Sequence, residues 1–203
     1  RTQRGTVNVP VVTADMADRL DRSEAEYMAS DMEGLRTESD NPLGVDVRRF
    51  GTATALMMKG LGDWEFNRVL GLRDQDPAEI DSILAWYGER GVACHFDVVP
   101  MLCSRGPRQR LAERGFYQSD FHSALYGVPR TASPRPSEGV EVTEVGAGDM
   151  ETFADLYMVY MDDLGLGATA RERAKANVES QHPRPGWRLY IATVDGTPAA
   201  FAA

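Results

Sequence analysis

Pro129, Pro134 and Pro136 fall within "VPRTASPRPSEG", residues 128–139, a stretch with no apolar periodicity. Proline fixes φ, removes a backbone donor and turns the preceding residue away from the helical region. Neither a helix nor a strand ladder runs through such a stretch. It predicts a linker over residues 129–139, so the 203 residues must build two separate cores. One is expected from residues 1–128 and the other from 140–203. Apolar content of 42% and charged content of 26% supply what two soluble cores need.

In the first unit, Thr13 is a plausible N-cap for a long amphipathic helix ending near Thr37. Met16, Leu20, Tyr27, Met28, Met32 and Leu35 recur at helical spacing along it. "SDNP" breaks that helix. Strands are expected over 45–51, 53–60 and 64–72, with turns at Gly51 and "KGLGD". A helix follows in "DPAEIDSILAWYGERG". Asp76 would be its N-cap, Pro77 the first helical residue, Glu79 the N3 acid and Gly91 the terminating glycine. A strand over 92–100, a short helix over 107–116 closed by Gly115, and a closing strand over 117–127 complete the unit. The class is α+β, a mixed α/β arrangement with a central, mostly antiparallel sheet flanked by helices.

The second unit reads as a strand over 140–145, a helix with Phe153, Leu156, Tyr157 and Tyr160 on one stripe, and a second helix over 168–181. A hairpin follows, turned by Asp195-Gly196. One strand, two helices and a hairpin make an incomplete sheet, so this unit is expected to be partial.

The net charge of −9 argues against a nucleic-acid-binding surface. No apolar run approaches the roughly 20 residues of a membrane-spanning helix. "RTQRGTVNVP" lacks the apolar core of a secretory signal, and a cytoplasmic location is expected. Cys94, Cys103, His95, His122 and His182 show neither a disulfide framework nor metal-ligand spacing, so no metal is expected. His95 and Asp97 fall on one face of a strand, where a satisfied structural pair is the expectation. Trp64, Phe66, Trp86 and Trp187 could form a contact surface, but core burial is expected for most of them.

The phrases "EVTEVGAGDMETFADLY" and "GWRLYIATVDGTPAAFAA" resemble the N-terminal half of a domain of the GNAT superfamily of N-acyltransferases. The hairpin is similar to that family's "a-x-x-d-G-x-x-v-G" pattern, with Ala200 or Ala202 where a glycine is common. In the first unit "RLAERGFYQSDFHSALYG" is similar to the helix and strand near a GNAT C-terminus. Its L-x-x-x-G-F phrase runs from Leu111 to Phe116. Together these resemble a tandem-domain protein with a degenerate N-terminal GNAT-like unit and a truncated C-terminal one.

The resemblance implies an N-acetyltransferase that moves an acetyl group from acetyl-CoA to a primary amine on a small molecule or peptide. The coenzyme site of the second unit is expected beyond residue 203, and this chain alone is expected to be inactive. No catalytic residue is assigned. The acceptor site would lie near Tyr157, Tyr160, Asp162 and Asp163, where acids attract an ammonium group and rings add cation–π contact. A solvated helix end with the tyrosines in the core explains the same residues. The alternative function is a non-catalytic GNAT-like binding or dimerisation module, with a homodimer as an admitted assembly; an unrelated α+β domain is a third reading.

In the first unit the family's phosphate loop would fall on "GLRDQDPAE". Phosphate binding needs glycines for close backbone approach and a vacant helix N-terminus. Here no glycine follows Gly71 until Gly88, while Asp74 and Asp76 bring like charge. The expectation is a junction closed to a phosphate.

Overall fold

The computed structural model describes residues 11–37, 40–60, 66–74, 77–127, 137–163, 175, 178, 179, 181, 182 and 184–203, with the backbone alone at residues 77 and 161–163. The chain divides into two compact units. One comprises Arg1–Glu33 and Pro42–Arg130, the other Gly34–Asn41 and Thr131–Ala203. The fold is α+β, with two mostly antiparallel sheets.

The chain opens with α1, Ala14–Arg36. Thr13 caps it as expected, with Oγ1 accepting from the Met16 N–H at 3.2 Å. Thr37 closes it by donating its hydroxyl to Gly34 O at 2.7 Å. The buried line along the helix is Asp21, Ala25, Ala29, Met32 and Leu35, while Tyr27 points to solvent. The expected apolar stripe is therefore displaced at its middle, and small alanines do part of the packing assigned to Tyr27.

The first sheet has the order β1 (Val45–Phe50), β2 (Ala53–Met58), β3 (Arg68–Leu70), β4 (His95–Phe96). The first two pairings are antiparallel and β3–β4 is parallel. Parallel neighbours need a crossover, which is supplied by α2, Pro77–Gly88. All six residues of β2 are buried, as a continuously apolar strand covered on both faces requires. One face of it, Ala53, Ala55 and Met57, packs with Val69 on Ile83, Trp86 and Tyr87 of α2. The buried Tyr87 hydroxyl donates to Leu56 O at 2.5 Å. Asn67, also buried, accepts the Met58 N–H on its Oδ1 at 2.9 Å. These bonds satisfy polar groups that β2 and β3 would otherwise bury unpaired.

Three strands come out shorter than the alternation suggests. The third spans Arg68–Leu70 rather than 64–72, and Phe66 sits in a turn before it. The fourth is two residues long rather than spanning 92–100. It is extended only by single bonds, His95 N–H to Asn67 O and Asp97 N–H to Val69 O, both at 2.9 Å. The segment 117–127 forms no strand at all. It alternates well enough, but it finds no ladder among the described residues, and alternation alone does not supply a partner. Between β4 and that segment lies α3, Arg105–Glu113, capped by Ser104 and closed by Gly115 at φ +87°.

The second unit contains β5 (Val140–Glu144), α4 (Met150–Asp163), β6 (Tyr190–Val194) and β7 (Thr197–Ala202). The sheet order is β5-β6-β7, all antiparallel. Asp195 and Gly196 both take positive φ, +50° and +78°, the conformation a two-residue hairpin demands. Pro198 sits on β7, an edge strand, where its missing N–H costs no ladder bond. Val145, Phe153, Val178, Leu189 and Ile191 make the core. Of the second expected helix, residues 175, 178, 179 and 181 are described, and they are helical. The linker is outside the described residues at 129–136.

Candidate functional site

The junction between β3 and α2 is the first region the sequence singles out. Gly71, at φ +77°, begins it. A Cβ there would meet Thr52 O at 2.7 Å, and Thr52 Oγ1 donates to Gly71 O at 3.0 Å. The glycine therefore serves close approach to the β1–β2 turn. Leu72 is buried against Ile80, Cys103 and Leu111.

Arg73 turns back onto α1. Its Nη2 reaches Asp18 Oδ1 at 2.8 Å, and its Nη1 reaches Asp21 Oδ2 at 2.6 Å. The Asp21 side chain is 4% exposed. Asp74 points the other way and accepts the Ser104 N–H at 2.6 Å, at the start of α3. The Ser104 hydroxyl and then its N–H hold the Asp74 carboxyl below the ordinary aspartate range. Residues 75 and 76 are outside the described residues, and with them the expected Asp76 cap.

The junction is held on its far side as well. Asp81, in the second turn of α2, takes both Arg110 and Arg114 of α3. The Arg114 contacts are 2.9 Å from Nε and 2.8 Å from Nη2. Hydrogen bonding to Arg110, then to Arg114, keeps its carboxyl low. Arg73, Arg108, Arg110 and Arg114 are thus each engaged by the chain's own carboxylates or main-chain carbonyls. Asp18, Asp21 and Ser104 were missed from sequence. A signal for Asp21 exists, since it is an acid on the line of Ala25, Met28, Met32 and Leu35, where an apolar residue belongs.

The second region is the edge of the core-packing face of α4. Tyr157 and Tyr160 come together, with ring centroids 6.2 Å apart, and both meet Phe201 of β7, at 5.5 and 6.2 Å. Phe201 also packs edge-on against Phe153 at 5.5 Å. Tyr157 lies at the margin of the core and Tyr160 is 50% exposed. The three rings form a cluster that is closed by the core on one side and open to solvent on the other. Phe201 is the member sequence did not single out. Its alternation along "TPAAFA" put it on the inner face, but the antiparallel register that aligns it with Ile191 is a property of the folded hairpin. Asp162 and Asp163 end α4, and their side chains are outside the described residues.

The remaining polar candidates are structural. Asp97 pairs with Arg68 at 2.8 Å. Burial pushes the Cys94 thiol up to about 12, and Cys103 is raised by burial as well, so neither offers a thiolate at neutral pH. Trp86 is buried, and Trp187 packs at the edge of the second core. Trp64 is outside the described residues. Among the described residues no three metal-ligating side chains gather, and no helix is long and apolar enough to cross a membrane. Compared with protein-family models, with curated proteins and with solved structures, the chain finds no match.

Proposed function

We propose that the protein is a GNAT-type N-acetyltransferase acting on a primary amine, with acetyl-CoA as co-substrate, and that its first unit is a non-catalytic module. The carrying observation is the β3–α2 junction. A helix joins two parallel strands there, as in a coenzyme-binding half, yet Arg73 is spent on Asp18 and Asp21 and Asp74 on Ser104. A pyrophosphate would have to displace the Arg73 ion pairs and approach an unneutralised carboxylate, which repels it.

In the reaction the amine nitrogen attacks the thioester carbonyl. A C–N bond forms and the C–S bond breaks. The nitrogen gives up a proton to a base, and the coenzyme leaves as thiolate and is protonated. On this reading the second unit faces the acceptor. Tyr157, Tyr160 and Phe201 offer ring faces to its cationic end, and Asp162 and Asp163 offer charge.

Release of coenzyme thiol from acetyl-CoA by the full-length protein across a panel of primary amines tests the activity. Amide exchange on adding acetyl-CoA tests the module. Residues 77–80 are expected to show no added protection, and protection there would overturn the closed junction. Asp162→Asn with Asp163→Asn should raise the acceptor KM and leave kcat nearly unchanged; an unmoved KM removes the acceptor assignment. The same closed junction favours a second reading, a purely non-catalytic binding or dimerisation module. In the full-length protein, absence of any thermal shift with acetyl-CoA, together with absence of thiol release, would select it.

A further inference from the structure

Residues 117–127 combine three facts that no other described segment combines. They run without helix or turn. Among the described residues no main-chain group of 117–125 bonds to another main-chain group. Tyr117, Phe121 and Leu125 are 84, 85 and 93% exposed. In an extended chain residues four apart lie on one face, so on pairing these three would make a single apolar stripe. A segment with free main-chain groups pairs readily with another chain once extended, and such edges are usually blunted with lysine or proline. This one carries neither between Tyr117 and Gly127.

The sequence also selects the partner. If the segment lies antiparallel to a copy of itself with Phe121 opposite Phe121, then Tyr117 falls opposite Leu125 and Ser119 opposite Ser123. On the other face Asp120 falls opposite His122. No neighbouring register matches all three apolar residues with apolar residues and also sets a carboxylate opposite an imidazole that can hydrogen-bond to it. Shifting the centre to His122 sets His122 against itself and Asp120 against Ala124. Cross-strand aromatic and opposite-charge pairs are the contacts that stabilise a two-stranded ladder.

The local bonding is compatible. The Phe121 N–H donates to its own Asp120 Oδ1 at 2.7 Å. That bond survives if Phe121 occupies a non-hydrogen-bonded position, where side chains are also closest. His122 Nε2 lies 3.3 Å from Glu24, which leaves the other ring nitrogen for Asp120 of the second copy. Four aromatic rings at about 150–250 Å² each account for roughly 600–1,000 Å² of buried surface, the low end of a specific interface.

We propose that residues 117–125 pair antiparallel, about Phe121, with the same segment of a second copy of this chain. Sedimentation equilibrium across a concentration series is the test, with circular dichroism confirming that each variant is folded. The unaltered chain should dimerise. Phe121→Glu should weaken the dimer about 100-fold, as expected for a central aromatic present twice. His122→Asp should also weaken it, since it sets carboxylates opposite one another. The exchange Asp120→His with His122→Asp should restore it, because the pair is reversed but kept. Amides of Gln118, Asp120, His122 and Ala124 should gain protection with concentration, and those of Ser119 and Ser123 should not. A chain that is monomeric at every concentration, a dimer that Phe121→Glu leaves intact, or protection of the segment in the monomer by another part of the chain would each overturn the proposal.

Discussion

The β3–α2 junction, read from sequence as closed to a phosphate, and the Tyr157–Tyr160 edge of α4, proposed for the acceptor, are built oppositely. At the junction, charged side chains are numerous and answer one another: Arg73 to Asp18 and Asp21, Asp74 to Ser104, Asp81 to Arg110 and Arg114. On α4 the described groups are aromatic, and Tyr160 is half open to solvent. The lesson concerns availability. Charges consumed inside the fold stabilise it and are withdrawn from chemistry, whereas the Tyr160 ring is half open to solvent.

Arg73→Met is the strongest way to break this contrast. It strands the Asp21 carboxylate, 4% exposed, without its counter-ion. Removing one partner of a buried pair costs about 3–5 kcal/mol, and the low end applies here because Arg73 keeps 19% exposure. Chemical denaturation should show a loss of about 3 kcal/mol. Adding Asp21→Leu should recover most of it, since an apolar pair of similar volume replaces an ionic one. A single variant as stable as the parent would mean that the junction is not held by its charges, and the closed-site reading would go with it.

On the α4 side, Phe201→Ala removes a ring that touches Phe153, Tyr157 and Tyr160. A fully buried phenylalanine costs about 3–5 kcal/mol to truncate. Phe201 is only partly buried, so about 2 kcal/mol is expected. Tyr160→Ala should cost no more than about 0.5 kcal/mol, as for other surface substitutions, while an acceptor's KM should rise. If Tyr160→Ala proved as costly as Phe201→Ala, the cluster would be core rather than a binding face.

Much of this was readable in advance for a physical reason. Caps and hairpin turns are local: Thr13, Gly115 and Asp195-Gly196 act within a few residues of themselves. The burial of β2 follows a nearly continuous apolar run, with Thr54 buried among it. What was not readable depends on partners distant in the chain. Arg73 and Asp18 lie far apart in sequence, and nothing near either one names the other. The segment 117–127 alternates like a strand, yet a strand requires a neighbour, and alternation does not say whether the neighbour lies in the same chain. Asp21 went unread too, although its signal was local: an acid on an apolar helical line asks for a counter-ion wherever that counter-ion resides.

The smallest expected effect is an acid limb on the junction's stability. Asp74 and Asp81 both have carboxyls held below the ordinary range, Asp74 by Ser104 and Asp81 by Arg110 and then Arg114. A group with a lower pKa folded than unfolded binds fewer protons when folded. Its contribution is therefore present above the unfolded value, about pH 4, and is lost as pH falls through the lower folded value. Both carboxylates are near solvent, so screening keeps each contribution small. Urea midpoints measured from pH 7 down to pH 2 should fall on the acid side. Asp81→Asn should flatten that fall more than Asp74→Asn, because two guanidinium groups answer Asp81 and one serine answers Asp74. Equal flattening by both substitutions would show that the acid limb follows overall charge rather than the junction's own contacts.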